Sequence, residues 1–294
     1  MRAWRWVVIL VVLVGAGIGI YMLTPVTGPA RDLTLAGDAT RGEYLIRLGG
    51  CISCHTDREN GGVELAGGAG LATPFGTFYP PNITSSQTAG IGGWTLAQFS
   101  KAMSDGEGPE GHLYPAFPYD SYTLMSDGEI ADLHAALLAR PADDTPSRPH
   151  EVGFPFNIRL AMAGWKHLFF RPQRYVADPS QSAEWNRGKY IVFGPGHCVT
   201  CHSPRNLLGG ISPGSELAGS PGGTPGGRAP SLRKADLEDH DYDVETLTQT
   251  LADGFTPGFD NFGGPMGEVI RDETSHWTAD DRRAVATYLL SEAR

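Results

Sequence analysis

Cysteine is scarce. The 294 residues hold four, at positions 51, 54, 198 and 201, and none is left over once their motifs are counted. Enzymes that need a spare reactive thiol are thereby disfavoured. Basic residues are also short, with 23 Lys and Arg against 33 Asp and Glu and a formal charge of −10. A phosphate-backbone partner requires clustered Lys and Arg, so nucleic-acid binding is not expected. The acidity itself serves solubility and identifies no partner. What remains, 40% hydrophobic and 19% charged, is the composition of a folding globular chain. Its 39 glycines and 22 prolines predict long ordered loops rather than dense secondary structure.

Charge is missing altogether from Trp6 to Leu23. Eighteen residues rise about 27 Å as a helix, close to a bilayer core. Arg2 and Arg5 precede the run, and the positive-inside rule then places everything after Pro25 outside the cytoplasm. A cleaved signal peptide is the rival reading. The run is longer than a typical signal core and lacks a clear Ala-x-Ala site, which favours a retained anchor. Gly15 and Gly19 could pack a helix partner, though glycine is common in membrane helices.

The cysteines fall into Cys51-Ile52-Ser53-Cys54-His55 and Cys198-Val199-Thr200-Cys201-His202. Each is C-x-x-C-H, the pattern of c-type haem attachment. Thiols three residues apart lie on one side of a helical turn and can form thioethers to the two vinyl groups of one porphyrin. The histidine, four after the first cysteine, shares that face and can reach the iron. Zinc sites, thioredoxin-like redox pairs and disulfides compete for such motifs. Two copies that use every cysteine, behind an export segment, point to two covalently bound haem c groups.

The surroundings repeat as well. Arg41-Gly42-Glu43-Tyr44-Leu45 leads to Cys51, and Arg187-Gly188-Lys189-Tyr190-Ile191 leads to Cys198. Both predict a helix ahead of the motif. Gly-rich stretches follow, and then a middle helix: Thr95 and Gln98 form a capping box before Leu96, Phe99 and Met103, with a counterpart from about Val244 to Ala252. Each copy closes with a helix, one capped by Ser126 and Glu129 and stopped at Pro141, the other capped by Thr278. The expectation is an all-α chain with a membrane anchor and tether over 1–36 and a first cytochrome c domain over 37–141. A Pro- and aromatic-rich linker over 142–178 and a second domain over 179–294 follow. The linker should hold a short helix through Trp165, Leu168 and Phe169. It is too aromatic for a flexible tether, so it packs between domains or docks on a partner or the membrane.

Haem iron held by one histidine needs a ligand on its other face. In the second copy Met266, within Gly264-Pro265-Met266-Gly267, reads as a loop residue poorly placed to fill a core. In the first copy Met125, Met103 and His112 compete. Met125 best matches the position of Met266, while Met103 lies on an inward helical stripe and His134 reads as exposed. The expected metal ligands are His55, Met125, His202 and Met266.

The run Gly111-His112-Leu113-Tyr114-Pro115-Ala116-Phe117-Pro118-Tyr119 followed by Met125-Ser126-Asp127 resembles the cytochrome c subunits of membrane-bound bacterial dehydrogenases. So do Pro81-Asn82-Ile83-Thr84, Gly92-Gly93-Trp94, the Phe154-Pro155-Phe156-Asn157-Ile158-Arg159 stretch and Gly164-Trp165-Lys166-His167-Leu168-Phe169-Phe170. Similarity extends through Gly196-His197-Cys198 to Arg205-Asn206. It implies electrons arriving from a dehydrogenase subunit and leaving toward quinone or a terminal oxidase, in the periplasm. Many such subunits carry three haems, whereas this sequence has two motifs. Many also have methionine where Phe117 stands, which cannot ligate and moves the expectation toward Met125. A dihaem redox enzyme of peroxidase type and a haem–copper oxidase cytochrome subunit are the alternatives.

Overall fold

A computed structural model describes residues 2–224 and 227–291. It is helix-rich. The first half contains α1 (Arg2–Met22), α2 (Ala39–Leu48), α3 (Cys51–His55), α4 (Leu96–Asp105), the single turn α5 (Tyr119–Tyr122) and α6 (Asp127–Ala139). A middle helix, α7, spans Ala161–Phe169. The second half has α8 (Ala183–Phe193), α9 (Cys198–Cys201), α10 (Lys234–Glu238), α11 (Val244–Asp253), α12 (Gly264–Asp272) and α13 (Ala279–Leu289). Short antiparallel ribbons, which hydrophobic periodicity could not announce, decorate the loops. They are β1–β2 (Leu71–Thr73, Gly76–Phe78) extended by β5 (Glu151–Val152), β3–β4 (Glu107–Gly108, Gly111–His112) and β6–β7 (Ser220–Thr224, Gly227–Ala229).

The helices begin where the capping residues dictate. Thr95 and Ser126 each accept from the backbone N–H three residues on, while Gln98 and Glu129 return the bond, completing both boxes. Asp243 with Thr246 does the same for α11, and Thr278 caps α13.

Two helix crossings organise the halves: α2 lies against α6, and α8 against α13. Gly42 and Gly188 sit at the contacts, six residues past the facing helix's cap in each case: Asp132 after Ser126, and Ala284 after Thr278. The preceding arginines add bidentate ion pairs, Arg41 to Asp132 at 2.7 and 2.9 Å and Arg187 to Asp281 at 2.7 Å through both nitrogens. The tyrosines three residues after those arginines reach across to the other half. Tyr44 donates to Asp281 at 2.6 Å and Tyr190 to Glu129 at 2.7 Å, each carboxylate being the third residue of its helix. The repeat thus builds a near-reciprocal interface. One apolar core runs through it, joining Ile46, Met125 and Leu133 to Ile191, Val199 and Val285.

The segment between the halves is ordered by side-chain bonds. Arg174 and Arg31 both grip Asp127 at the start of α6, and Tyr175 donates to the Asn186 carbonyl at 2.7 Å. Trp165 and Phe170 bury themselves with Tyr119 in a second, smaller core. The helix expected through Trp165 is α7.

Candidate functional site

Each C-x-x-C-H motif winds into one short helical turn, α3 or α9, directly after the longer helix that carries the repeated Arg-Gly-x-Tyr. The turn follows a left-handed residue in both copies, Gly50 and His197. Standing just before the turn, after the longer helix has ended at Leu48 or Phe193, such a residue reorients the chain into the motif. His197 fills a seam between the halves. Its ring meets Tyr122 edge-on at 5.6 Å, and Tyr122 donates to the Gly49 carbonyl at 2.6 Å.

The two histidines are held alike. His55 Nδ1 lies 2.6 Å from the Pro81 carbonyl, and His202 Nδ1 lies 2.8 Å from the Pro230 carbonyl. A carbonyl only accepts, so the ring proton sits on Nδ1 and Nε2 keeps its lone pair. Burial lowers the pKa of both imidazoles, partly countered by those carbonyl bonds, and so favours the neutral form that metal ligation requires. A carbonyl that accepts from the far ring nitrogen and so fixes the tautomer is the usual companion of a ligating histidine.

Burial also pushes the thiols of Cys51, Cys54 and Cys198 up to about 12, with the Glu273 carboxyl adding to the rise. Thiols of that kind are not the activated thiolates of a redox exchange pair. Among the described residues no group of three or more His, Cys, Asp and Glu side chains could hold a metal ion, so tetrahedral zinc has no ligand set here. The donor set fits haem c instead: paired thiols on one turn for the vinyl groups and one orientable imidazole nitrogen for iron. When bound, the haem supplies a one-electron iron couple.

Sequence reasoning missed Glu273. It follows α12 in the second half, is 2% exposed, and accepts a short bond from Ser53 of the first motif. Only the fold brings it there; nothing in its local sequence marks it.

Met125 is fully buried in the turn ahead of the α6 cap. Met266 lies in the first turn of α12, correcting its placement in a loop. Proline lacks the N–H that a first helical turn leaves unsatisfied, so Pro265 starts this helix rather than interrupting it. Met103 is buried on α4. His134 is half-buried rather than exposed, with Nε2 on the Trp94 carbonyl at 3.1 Å and its ring 5.0 Å from Phe99. His112 stands on β4, where the Lys166 ammonium reaches its Nδ1 at 3.1 Å.

No family model matches the chain. Individual relatives do. It is 40% identical over 283 residues to a protein described as "Diheme cytochrome c-type" from Cereibacter sphaeroides, covering 95% of this chain and 94% of that one. It is 37% identical over 257 residues to the fructose dehydrogenase cytochrome subunit of Gluconobacter japonicus, covering 86% of this chain and 52% of the relative. With the gluconate 2-dehydrogenase cytochrome c subunit of Pantoea cypripedii the identity is 34% over 262 residues, covering 85% and 58%. The chain thus spans nearly all of the first relative and about half of the two dehydrogenase subunits. Two matching histidine-bearing turns and a relative aligned along almost its whole length converge: the chain belongs to the dihaem c-type cytochromes, binds two haem c groups covalently, and is an electron-transfer component rather than a catalytic subunit.

Proposed function

We propose that this protein is a membrane-anchored dihaem carrier, built as two tandem cytochrome c domains on the periplasmic side of the inner membrane. It takes electrons from a dehydrogenase subunit and passes them to quinone or a terminal oxidase. The observation that carries the reading is the duplicated histidine geometry, with Nδ1 tied to a proline carbonyl in both halves. The dehydrogenase partner rests on relatives that are cytochrome subunits of fructose, alcohol and gluconate dehydrogenases. Anchoring is supported by α1, whose Trp4–Met22 stretch has a mean hydropathy of 2.1 and no buried share.

The sixth ligands in this reading are Met125 and Met266. His112 is disfavoured because its Nδ1 accepts from Lys166, which puts the ring proton on Nε2 and leaves neither nitrogen a free lone pair. Methionine raises a haem potential relative to most alternatives. Met266→Ala is therefore expected to lower one midpoint potential, and Met125→Ala the other, each by on the order of 100 mV. A redox titration of the purified variants checks this; an unchanged pair of potentials in Met125→Ala would hand the role to Met103.

The first test is intact mass. The mature protein should exceed its polypeptide mass by two haem groups, and Cys198→Ser with Cys201→Ser should remove one of them. A bare polypeptide, or a single haem in the unaltered protein, would overturn the proposal. Co-purification of the full-length chain from its native membrane should bring the dehydrogenase subunit with it.

A further inference from the structure

Beyond α1, fourteen large apolar side chains stand exposed among the described residues, and seven of them lie within 154–168 or at 207–208. That concentration is one surface. The Trp165 indole donates to the Leu208 carbonyl at 2.8 Å, which joins the 207–208 turn to α7. Phe156 meets Phe75 edge-on at 5.1 Å, and Phe75 lies against Gly209. Leu160 and Leu168 face outward from the two ends of α7, while Trp165 and Lys166 on its other side are buried.

The end of α1 seats on the same helix. The Tyr21 ring is 4.5 Å from the His167 ring, His167 Nε2 is 3.0 Å from the Thr24 carbonyl, and Met22 packs at Gly164. Wherever α1 leaves a bilayer, α7 leaves with it, at headgroup depth. The charge agrees. From residue 154 to 174 there is no Asp or Glu, while Arg159, Lys166, Arg171 and Arg174 are present, in a chain whose net charge is −10. Lys166 is buried on the Asp105 and Gly106 carbonyls and Arg174 is paired with Asp127, whereas Arg171 stays exposed while donating to the His167 and Phe170 carbonyls of its own turn, and half-buried Arg159 lies 5.6 Å over the Tyr114 ring beside the apolar rim. An apolar face flanked by cations is the make-up of an interfacial helix on an anionic lipid surface.

We propose that α7 and the 207–208 turn form a lipid-docking face that lies in the headgroup layer of the membrane in which α1 is anchored. The inference rests on the anchoring reading above and goes further, because it fixes how the haem-bearing body is tilted on the bilayer. Residues 28–32 already tie the chain after α1 to the body through Asp105 and Asp127, and this face adds the contact between that body and lipid.

The test uses the full-length haem-loaded protein, one copy per nanodisc of phosphatidylethanolamine and phosphatidylglycerol. The four native cysteines are consumed by haem, so single new cysteines take a spin label selectively. Leu168→Cys, Leu207→Cys, Phe259→Cys and Val12→Cys are compared by oxygen and aqueous-relaxant accessibility. Labels at 168 and 207 are expected about 5 Å or deeper in the headgroup layer, the label at the exposed Phe259 in water, and the label at Val12 in the lipid core. Labels at 168 and 207 as water-accessible as that at 259, with Val12 still in lipid, would overturn the docking face and spare the anchor. An aqueous Val12 label would overturn both. Low accessibility of the label at 168 to oxygen as well as to the aqueous relaxant would assign the face to protein contact instead, and would also overturn the proposal.

Discussion

Gly188→Ala is expected to lower the melting temperature of the haem-loaded protein by about 6–12 °C, and Gly42→Ala by a similar amount. A methyl group at Gly188 would meet the Ala284 carbonyl oxygen at 1.9 Å, and one at Gly42 the Asp132 carbonyl oxygen at 2.0 Å. Neither obstacle is a movable side chain. The backbone of the facing helix would have to retreat, parting α8 from α13 or α2 from α6, and with them the bidentate arginine pairs that straddle each crossing. Overpacking of this kind costs about 3 kcal/mol, a large share of the 5–15 kcal/mol, roughly, that holds a domain folded. Gly128→Ala is the control. It lies on α6 with nothing within 4 Å of the added methyl, so exchanging it should be neutral or slightly stabilising. Thermal unfolding followed at the haem band and by far-UV circular dichroism reads all three. Equal melting temperatures for Gly188→Ala and Gly128→Ala would show that the helices do not approach this closely.

The same glycines show how much the sequence could tell. Local signals were legible because local physics set them: both capping boxes formed with the bonds that Thr95–Gln98 and Ser126–Glu129 announce, and the apolar stripe of α4 turned inward. The C-x-x-C-H motif named its cofactor because thioether and iron chemistry dictate its spacing. The repeat Arg-Gly-x-Tyr was visible, but its meaning was not. That glycine marks a helix crossing, and that tyrosine reaches the opposite half, are facts of tertiary approach. Met266 was misplaced for a local reason, since proline between glycines reads as loop unless it falls in a helix's first turn. His134 was misjudged because its carbonyl partner, Trp94, lies forty residues away.

Glu273 carries the second large effect, on how stability depends on pH. Burial, reinforced by the neighbouring Asp272 charge and opposed by the Ser53 hydroxyl, raises its pKa from the ordinary 4.5 to about 8. The charged groups packed near it do not neutralise it. Arg58 and Arg271 pair with Asp272, Arg47 donates to the Asp272 carbonyl, and the remaining neighbours are Tyr122 and the motif sulfurs. The sign follows from linkage. The folded protein holds this proton more tightly than the unfolded chain, so the stabilisation is complete below about 4.5 and is lost as pH rises through about 8. Over that window the folded state should lose on the order of 4 kcal/mol from this group alone. Glu273→Gln retains an acceptor for Ser53 and cannot ionise. The variant is therefore expected to match the unaltered protein near pH 5, to become the more stable of the two as pH rises, and to level off above pH 8. Chemical denaturation of both proteins in detergent across that range isolates the difference from the histidines that titrate in each. A gap that stays constant with pH would mean the carboxyl between the two motif turns is already ionised at neutrality, paired with a cation the fold does not show.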